Sequence, residues 1–579
     1  RGPPPLAHRR SLVLTRILTR PYDVRAAASL QQCGHSAPIA RALAARGITC
    51  REDLEQEWKG LLSPAMLEGT REAAERLALA RARAERVTIV ADYDCDGATA
   101  CVVGLRGLRA MGLTVDYLVP DRVLHGYGLT DALVDIIAGM NPRPDLILTV
   151  DNGVSSAAPI ARAAAMGIDT VVTDHHLPGP ELPKCAAIVN PNLPDSAFPS
   201  KALAGVGVMY YVLLTLRALL RERGVYDQTT QPRLDQLVDF VALGTVADVV
   251  RLDKNNRILV AQGLKRIRQG RTHPGILALF SVARRDAKEA SVADFGFAVG
   301  PRINAAGRLA SMETGIECLL ADDPERAHYL ADCLNNTNQE RRTLEAEMQE
   351  TALAAIAGTD LEQTPALAIY DEGFNEGVVG LVAARIREKT NRPVVAFAPS
   401  ESGNLKGSGR SIPGVHLRDA IDLVAKRLPD AVLKFGGHAM AAGLTLRPER
   451  LADFRAAFEE AVRTLADPHA FEHTVMTDGE LRPTDITERL VMETDRQIWG
   501  QGFEPPLFAN TFRVLSQKIV KDAHLKLTLE LGTERFGAIF FRRTAALPGT
   551  VRLAYRPVIN AWNGRRTVEL VVEAAEAAE

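Results

Sequence analysis

Short apolar runs that end directly in Asp or His residues constrain the fold of this chain more than any other feature. The runs VTIV (87–90), LILTV (146–150) and TVVT (170–173) alternate with Ala-rich stretches that have a helical pattern. Apolar runs this short, set between helices, are typical of buried strands in a parallel sheet. We therefore predict an α/β fold with a parallel sheet for region 85–322.

The rest of the sequence divides into four further regions. Its 579 residues are too many for one hydrophobic core. We predict a helical lead-in over 1–84, one long connecting helix over 323–358, and a second α/β domain over 359–465 with the strands ALAIY and PVVAFA. Region 466–579 contains five short runs rich in β-forming residues, which predict a small β-barrel.

Three carboxylates follow the first apolar run within five residues, at Asp92, Asp94 and Asp96. Such a cluster repels itself strongly unless a cation lies among the carboxylates. Later apolar runs end in further potential ligands, and we interpret VDFVALGTVADVV as a fourth strand of this kind. These runs deliver Asp151, Asp174, His175, His176 and Asp248. Because ligands bind at the carboxyl ends of parallel strands, the sequence predicts one shared metal site.

The donor types favour particular metals. Carboxylate oxygens with one or two imidazoles suit Mn²⁺ or Mg²⁺ better than structural zinc. We predict two divalent metal ions, with Asp151 as the bridging carboxylate because it follows its strand alone. Two such ions suit hydrolysis of a phosphate ester, one activating water and the other neutralising charge on the phosphate oxygens. A solvated acidic loop and an incidental His pair are the alternatives that each cluster, taken alone, leaves open.

The amino-acid composition restricts the kind of protein and the cellular location in which this chemistry would take place. The formal net charge is −2, so any nucleic-acid surface must be a local patch. The seven cysteines are an odd number without a C-x-x-C pair, which is typical of reduced thiols and predicts a cytoplasmic protein. No apolar run is long enough to span a membrane, and we expect no membrane partner.

The acidic strings DYDCDG, VDNG, DHH and GTVADVV, in this order, resemble the four motifs of the DHH phosphoesterase superfamily. The later strings GPRINAAGRL, LKGSGRSIPGVHLRDA and KFGGHAMAAGL narrow the resemblance to a bacterial family of single-strand-specific 5′ exonucleases. The resemblance implies a DHH catalytic domain, a DHH-associated substrate-binding domain and an OB-like barrel. It also implies degradation of single-stranded DNA from 5′ to 3′ into mononucleotides, in recombination and repair.

Metal ligands and catalytic residues are carried over by the same resemblance. The implied ligands are Asp94, Asp96, Asp151, His175 and Asp248, with Asp92 either a further ligand or a residue behind the ligands. His176 completes the catalytic set, and the resemblance implies that it faces the substrate phosphate rather than a metal.

Two glycine-rich strings are candidates for phosphate binding. We interpret LKGSGRSI as a loop that presents Ser408 and Arg410, and the string around Gly436, Gly437 and His438 as a second turn. An ordinary surface turn is the alternative for each string in isolation. The resemblance implies that Ser408 and Arg410 hold the terminal 5′-phosphate, together with residues from the first domain. Those residues are Arg122 and Arg308, with Arg302 and Asn304 as close alternatives. Where many members of the family carry a Trp-His pair, this chain has Phe374 and Asn375.

Partners follow from the resemblance as well: single-stranded DNA, a single-strand-binding protein and a RecQ-type helicase. We expect a monomer, because a threaded strand requires no dimer. We expect the barrel region to contribute DNA affinity and not metal binding. Two alternatives remain open at this point. One is a DHH enzyme that acts on nano-RNA or cyclic dinucleotides, and the other is a replication scaffold with an inactive DHH core.

Overall fold

A computed structural model describes residues 15–121, 124–562 and 565–577 of the chain. The chain divides into two compact units. Unit 1 contains the described residues up to Cys50, then Arg342–Arg496 and the described residues from Pro506 onward. Unit 2 contains Arg51–Arg341 and Gln497–Pro505.

The strands and helices are numbered in chain order. In the described residues the strands β1 to β17 are Thr15–Thr19, Arg86–Ala91, Thr114–Leu118, Leu146–Val150, Asp169–Thr173, Ala187–Val189, Leu367–Tyr370, Val394–Pro399, Leu405–Arg410, Val432–Gly437, Ala441–Leu446, His473–Thr477, Phe508–Val520, His524–Leu531, Glu534–Phe540, Thr550–Trp562 and Arg565–Ala577. The α-helices α1 to α18 are Val24–Gln32, Ala37–Ala44, Thr70–Ala82, Cys95–Ala110, Asp131–Ala138, Ala157–Ala165, Gly205–Glu222, Val238–Ala247, Lys254–Arg268, Pro274–Val282, Val292–Asp294, Gly300–Leu309, Glu313–Leu320, Pro324–Ala355, Val379–Thr390, Leu417–Arg427, Leu451–Leu465 and Glu488–Asp495. None of these helices is both long enough and apolar enough to cross a membrane.

Unit 2 is built on a five-stranded parallel sheet in the order β3-β2-β4-β5-β6. Strand β4 is fully buried and β2 is buried except at its first residue, which explains their near-continuous apolar sequences. The strand order reverses between β2 and β4, and this switch point is where open α/β sheets bind their ligands. The predicted α/β fold of this region is confirmed. The sequence did not predict β3, which is partly exposed, or β6, which has three residues.

The prediction of a fourth strand over VDFVALGTVADVV is wrong, because Val238–Ala247 is a helix, α8. This helix is buried on all sides, so its sequence shows no alternation that separates helix from strand. Gly244 lets α8 approach α4 closely, since a Cβ there would overlap the Thr99 side chain and lie 2.9 Å from Asp96 Oδ1. Asp248 therefore arrives from a helix end and not from the sheet.

The first sheet of unit 1 has the order β10-β11-β9-β8-β7, with β7 and β8 parallel and the other neighbours antiparallel. The string LKGSGR forms β9, so the predicted glycine-rich loop is wrong. Its glycines make room for core side chains: a Cβ on Gly407 would lie 2.6 Å from the ring of Phe397. Gly436 and Gly437 likewise belong to β10, and the turn begins only at His438, whose N–H donates to the Ala441 carbonyl at 2.8 Å.

The C-terminal part of unit 1 is a closed barrel in the order β13-β14-β15-β17-β16, which confirms the predicted barrel. Its closing pair, β15 and β17, is parallel. Strand β1, which lies in the predicted helical lead-in, pairs in parallel with β12. Ile17 on β1 donates its N–H to Glu576 on β17 at 3.3 Å. The predicted long helix is α14, and the chain passes from unit 2 to unit 1 within it.

Candidate metal centre

The acidic loop after β2 is held by backbone N–H groups. Asp94 caps α4, and its carboxylate accepts a hydrogen bond from Gly97 N–H at 2.9 Å. Asp96 lies at the N-terminus of α7, where its carboxylate accepts hydrogen bonds from Gly205 at 2.7 Å and Val206 at 3.0 Å. Burial and the neighbouring Asp94 nevertheless raise the pKa of Asp96 to about 7. The loop is thus fixed in place while its negative charges remain poorly compensated.

Asp151 follows β4 directly and faces the acidic loop. Its φ is 62°, a left-handed conformation that Asp tolerates better than most residues. The next residue, Asn152, donates to the carbonyls of both Val90 and Val150, which ties the ends of β2 and β4 together. Burial, followed by repulsion from the other carboxylates, raises the pKa of Asp151 well above its ordinary value. Gly205 packs against this carboxylate, since a Cβ there would lie 2.5 Å from Asp151 Oδ1.

His175 points one ring nitrogen into the cluster of carboxylates. Its Nε2 lies 3.1 Å from Asp151 Oδ1, 3.4 Å from Asp248 Oδ2 and 3.9 Å from Asp96 Oδ2. Both His175 Nε2 and Asp151 Oδ1 are buried without a hydrogen bond. Burial lowers the pKa of His175 to about 4, so its imidazole is neutral at pH 7. A neutral imidazole nitrogen that faces carboxylate oxygens has the chemistry of a metal ligand.

The carboxylate of Asp174 fixes the ring of His176, and both of its oxygens accept hydrogen bonds. Its Oδ1 accepts hydrogen bonds from the His176 ring at 2.7 Å and from the His175 N–H at 2.7 Å, and its Oδ2 accepts from Val154 N–H. Burial opposes protonation of His176, yet the hydrogen bond to Asp174 and the nearby carboxylates raise the pKa of His176 to about 9. His176 is more exposed than His175, with 37% of its side chain accessible against 11%. The two adjacent imidazoles therefore have different charges and different surroundings.

Asp248 ends α8 and completes the cluster. Burial and the surrounding carboxylates, Asp96 and Asp94 foremost, raise the pKa of Asp248 well above its ordinary value. The following residue, Val249, has a φ of 62°, which a β-branched residue rarely adopts. The backbone therefore turns sharply where it leaves the cluster.

These side chains fit divalent cations. Among the described residues, three groups place ligand atoms within 4.8 Å of one another. The groups are Asp92, Asp94 and Asp151; Asp96, His175 and Asp248; and Asp151, His175 and His176. Oxygen donors with one or two imidazoles suit Mn²⁺ and Mg²⁺, and the buried atoms without hydrogen bonds are those that a cation would satisfy. Unit 2 thus brings together all the residues that the sequence predicted as ligands.

Helix α12 carries three of the predicted substrate-binding residues in unit 2. Asn304 Oδ1 accepts a hydrogen bond from Cys95 N–H at 2.8 Å, so this oxygen supports the acidic loop. Arg302 donates to the Ala298 carbonyl and to Asn335 on α14. Arg308 is half-buried near the end of the helix. Arg122, also predicted to bind substrate, lies outside the described residues.

Unit 1 brings a serine and two arginines close together at β9. Arg410 donates to Ser408 Oγ at 3.2 Å and to the Gly409 carbonyl at 2.8 Å. Burial, together with the nearby Arg387, lowers the pKa of Arg410. Gly380, in the first turn of α15, lies against both predicted residues, because a Cβ there would be 2.7 Å from Ser408 Oγ and 3.1 Å from Arg410 Nη2. Two guanidinium groups and a helix N-terminus together are suited to a phosphate.

Sequence reasoning missed three residues near these sites. Asp174 was recognised as part of the motif but not as the partner that orients His176. Tyr127, whose hydroxyl lies 3.2 Å from His176 Nε2, carried no signal in the sequence because a single Tyr in a polar loop is common. Arg387 lies on α15, where a helix-terminal arginine is ordinarily read as a solvated charge.

The fold and this cluster of carboxylates and imidazoles define a protein of the DHH class. Residues 86–245 match the DHH family, N-terminal domain, and residues 363–464 match the DHHA1 domain. Residues 477–574, which contain the barrel, match the RecJ OB domain.

Comparison with individual relatives and solved structures identifies the family within this class. The chain is 44% identical over 551 residues to the single-stranded-DNA-specific exonuclease RecJ of Escherichia coli, covering 93% of this chain and 95% of that protein. It is 31% identical to the protein of the same name from Bacillus subtilis, covering 95% of this chain and 69% of the relative. The crystal structure of RecJ from Thermus thermophilus in complex with Mn²⁺ matches with a TM-score of 0.83 and 29% identity, covering 98% of this chain and 80% of that one. A structure of RecJ from the same organism with Mg²⁺ matches with a TM-score of 0.77. The chain belongs to the RecJ family, and the resemblance seen in its motifs is confirmed.

Proposed function

We propose that this chain is a metal-dependent exonuclease that degrades single-stranded DNA from 5′ to 3′ into mononucleotides, in DNA recombination and repair. The observation that carries the proposal is the convergence of His175 Nε2 and Asp151 Oδ1, buried and without hydrogen bonds, at the switch point of the parallel sheet. Membership of the RecJ family supplies the substrate class.

The metal ligands in this proposal are Asp92, Asp94, Asp96, Asp151, His175 and Asp248. Asp151 takes part in two of the three groups of potential ligands, which supports its role as the bridge. Two bound divalent cations would activate a water molecule and neutralise charge on the scissile phosphate. The protein holds the donors rigid through the N-termini of α4 and α7 and through Asn152.

His176 is proposed to act on the substrate. Asp174 fixes its ring, its raised pKa keeps the imidazole protonated near pH 7, and its exposure leaves it accessible. A protonated imidazole can donate a hydrogen bond to a phosphate oxygen as negative charge grows there in the transition state. His176 therefore stabilises charge, while His175 serves as a neutral ligand.

The polarity of degradation is proposed to come from recognition of a terminal 5′-phosphate. Ser408 and Arg410, supported by Arg387 and the N-terminus of α15, form the phosphate pocket of unit 1. The remaining residues proposed to contact substrate are Arg122, Arg302, Asn304, Arg308, Gly436, Gly437 and His438. Gly436 is exposed and has open space where a side chain would stand, which allows close approach of a DNA strand to the backbone of β10.

The barrel is proposed to bind the strand beyond the site of cleavage, as OB folds bind single strands by stacking and backbone contacts. Single-strand-binding protein and a RecQ-type helicase are the proposed protein partners, and the chain is proposed to act as a monomer. The seven free cysteines support a cytoplasmic location.

A direct test offers the protein a 5′-phosphorylated oligodeoxynucleotide and a dinucleotide side by side with Mn²⁺. We expect release of mononucleotides from the oligonucleotide, slowed by a block at its 5′ end and unaffected by a block at its 3′ end. Strong preference for the dinucleotide would favour the small-substrate alternative, and no hydrolysis of either would favour an inactive scaffold. The match of residues 477–574 to the RecJ OB domain argues against the first of these, and the complete set of ligands argues against the second.

A further inference from the structure

A short segment from the C-terminal region is part of the metal-binding unit. Residues 497–505 belong to unit 2, although the chain on both sides of them belongs to unit 1. We call this segment the strap. Two of its side chains, Trp499 and Phe503, are buried and stack with their ring centroids 4.9 Å apart. The Phe503 ring also covers the guanidinium of Arg257 at 4.2 Å, so the strap is anchored on helix α9.

The strap packs on the loop 249–253, which follows Asp248. Leu252 N–H donates to the Gln501 carbonyl at 2.8 Å. Gly500 lies flush against the buried Leu252, and a Cβ at this position would overlap the leucine side chain. Arg257, the residue under Phe503, donates to the Leu252 carbonyl at 3.0 Å. The strap and its anchor therefore hold the same short stretch of backbone from two directions.

This loop needs such support because it begins in a strained conformation. Val249 has a φ of 62°, and a β-branched residue keeps this conformation only where the surrounding structure enforces it. The Val249 side chain is 61% exposed and supplies little packing of its own. Its neighbour on the N-terminal side is Asp248, whose Oδ2 lies 3.4 Å from His175 Nε2. A change in the loop would move this carboxylate relative to the imidazole.

We propose that the strap positions the metal centre: it holds the loop 249–253 so that Asp248 keeps its place beside His175, with Phe503 and Gly500 as positioning residues. The inference rests on the proposed function only in that Asp248 binds a cation. It also changes one expectation from the sequence. Because the strap lies within region 466–579, that region contributes to metal binding as well as to DNA affinity.

The first experiment compares full-length Phe503→Ala with Phe503→Tyr, which keeps the ring over Arg257. Phe471→Ala is the matched control, because Phe471 covers Arg392 at 4.7 Å within unit 1. Mn²⁺ affinity is measured by calorimetry without DNA, and kcat and KM are measured on single-stranded DNA. In Phe503→Ala we expect Mn²⁺ affinity to fall about tenfold or more and kcat to fall with it, while KM stays within about twofold. Phe503→Tyr and Phe471→Ala should keep the affinity of the unaltered protein.

A second variant and a double-mutant cycle separate positioning from general destabilisation. Gly500→Ala should lower Mn²⁺ affinity in the same way, since it displaces the strap without removing an aromatic ring. In an Asp248→Asn background, Phe503→Ala should cause no further loss of Mn²⁺ affinity if it acts through Asp248. The proposal is overturned if both single variants bind Mn²⁺ as the unaltered protein does, or if the two losses simply add. These outcomes do not depend on DNA, so a failure of the proposed nuclease function would be seen separately.

Discussion

His175 Nε2 lies 3.1 Å from Asp151 Oδ1, yet neither of these buried atoms takes part in a hydrogen bond. A buried polar atom without a partner destabilises a fold by about 1–3 kcal/mol. A divalent cation satisfies both atoms at once and offsets the repulsion among the carboxylates around them. The cluster is therefore arranged for binding and is a source of instability in the metal-free protein.

Adding Mn²⁺ to metal-free protein should raise its melting temperature. An excess of about one hundred times Kd stabilises the folded state by about 2.7 kcal/mol, which corresponds to roughly 4 °C for a unit of this size. Differential scanning calorimetry with and without EDTA measures the shift. Asp151→Asn removes one of the repelling charges, so this variant should melt higher than the unaltered protein without metal and respond little to Mn²⁺. An undiminished Mn²⁺ response in Asp151→Asn would exclude Asp151 as the bridge.

Mn²⁺ affinity should increase with pH up to about neutrality. Burial and Asp94 raise the pKa of Asp96 to about 7, so below this pH the metal-free cluster holds a proton that Mn²⁺ must displace. We expect a loss of about tenfold in affinity per pH unit below 7 for each proton displaced. Calorimetry in buffers of different ionisation enthalpy reports the number of protons released. Equal affinity at pH 5.5 and pH 8 would show that the carboxylates are already ionised without metal.

Gly205→Ala should damage the metal centre without touching a ligand. The new Cβ would lie 2.5 Å from Asp151 Oδ1, so either Asp151 or the first turn of α7 must move, and α7 also binds Asp96. We expect a loss of Mn²⁺ affinity of about tenfold or more. Gly358→Ala is the matched control, because no atom lies within 4 Å of the position where its Cβ would stand. If both variants bind Mn²⁺ equally well, the close approach of Gly205 to Asp151 does not matter for metal binding.

Arg410→Ala should weaken binding of phosphorylated 5′ ends by about tenfold or more, since a hydrogen bond to a charged group contributes about 1.5–3 kcal/mol. Oligonucleotides that end in a 5′-hydroxyl should lose much less. Fluorescence anisotropy in EDTA compares the two ends without cleavage. Arg463→Ala provides the control, because Arg463 also belongs to unit 1 but lies on helix α17, where its guanidinium donates to Glu460 Oε2 at 3.0 Å. Equal losses for both kinds of end would argue against a phosphate pocket at Arg410.

Local patterns were sufficient to predict much of the catalytic unit. The strands β2, β4 and β5 were predicted to within one residue at each end, because each is a short apolar run closed by a polar cluster. The five barrel strands were also found, since alternation and turn residues separate them. Helix α8 was misassigned because a segment buried on every side has no polar face to reveal its period.

The sequence by itself determined the chemistry of this protein: a parallel α/β sheet, carboxylates and imidazoles at the strand ends, and the family that carries those motifs. The sequence could do so because a strand and the potential metal ligands at its end are neighbours along the chain. Only the tertiary structure decided what each donor faces. Asp174 orients His176, Asn304 supports the acidic loop, and the strap around Phe503 lies on the loop beyond Asp248. The contacts of Asn304 and Phe503 join residues far apart in the sequence, and the pairing of Asp174 with His176, two residues apart, depends on how their side chains are oriented in the folded protein. No local pattern encodes either kind of contact.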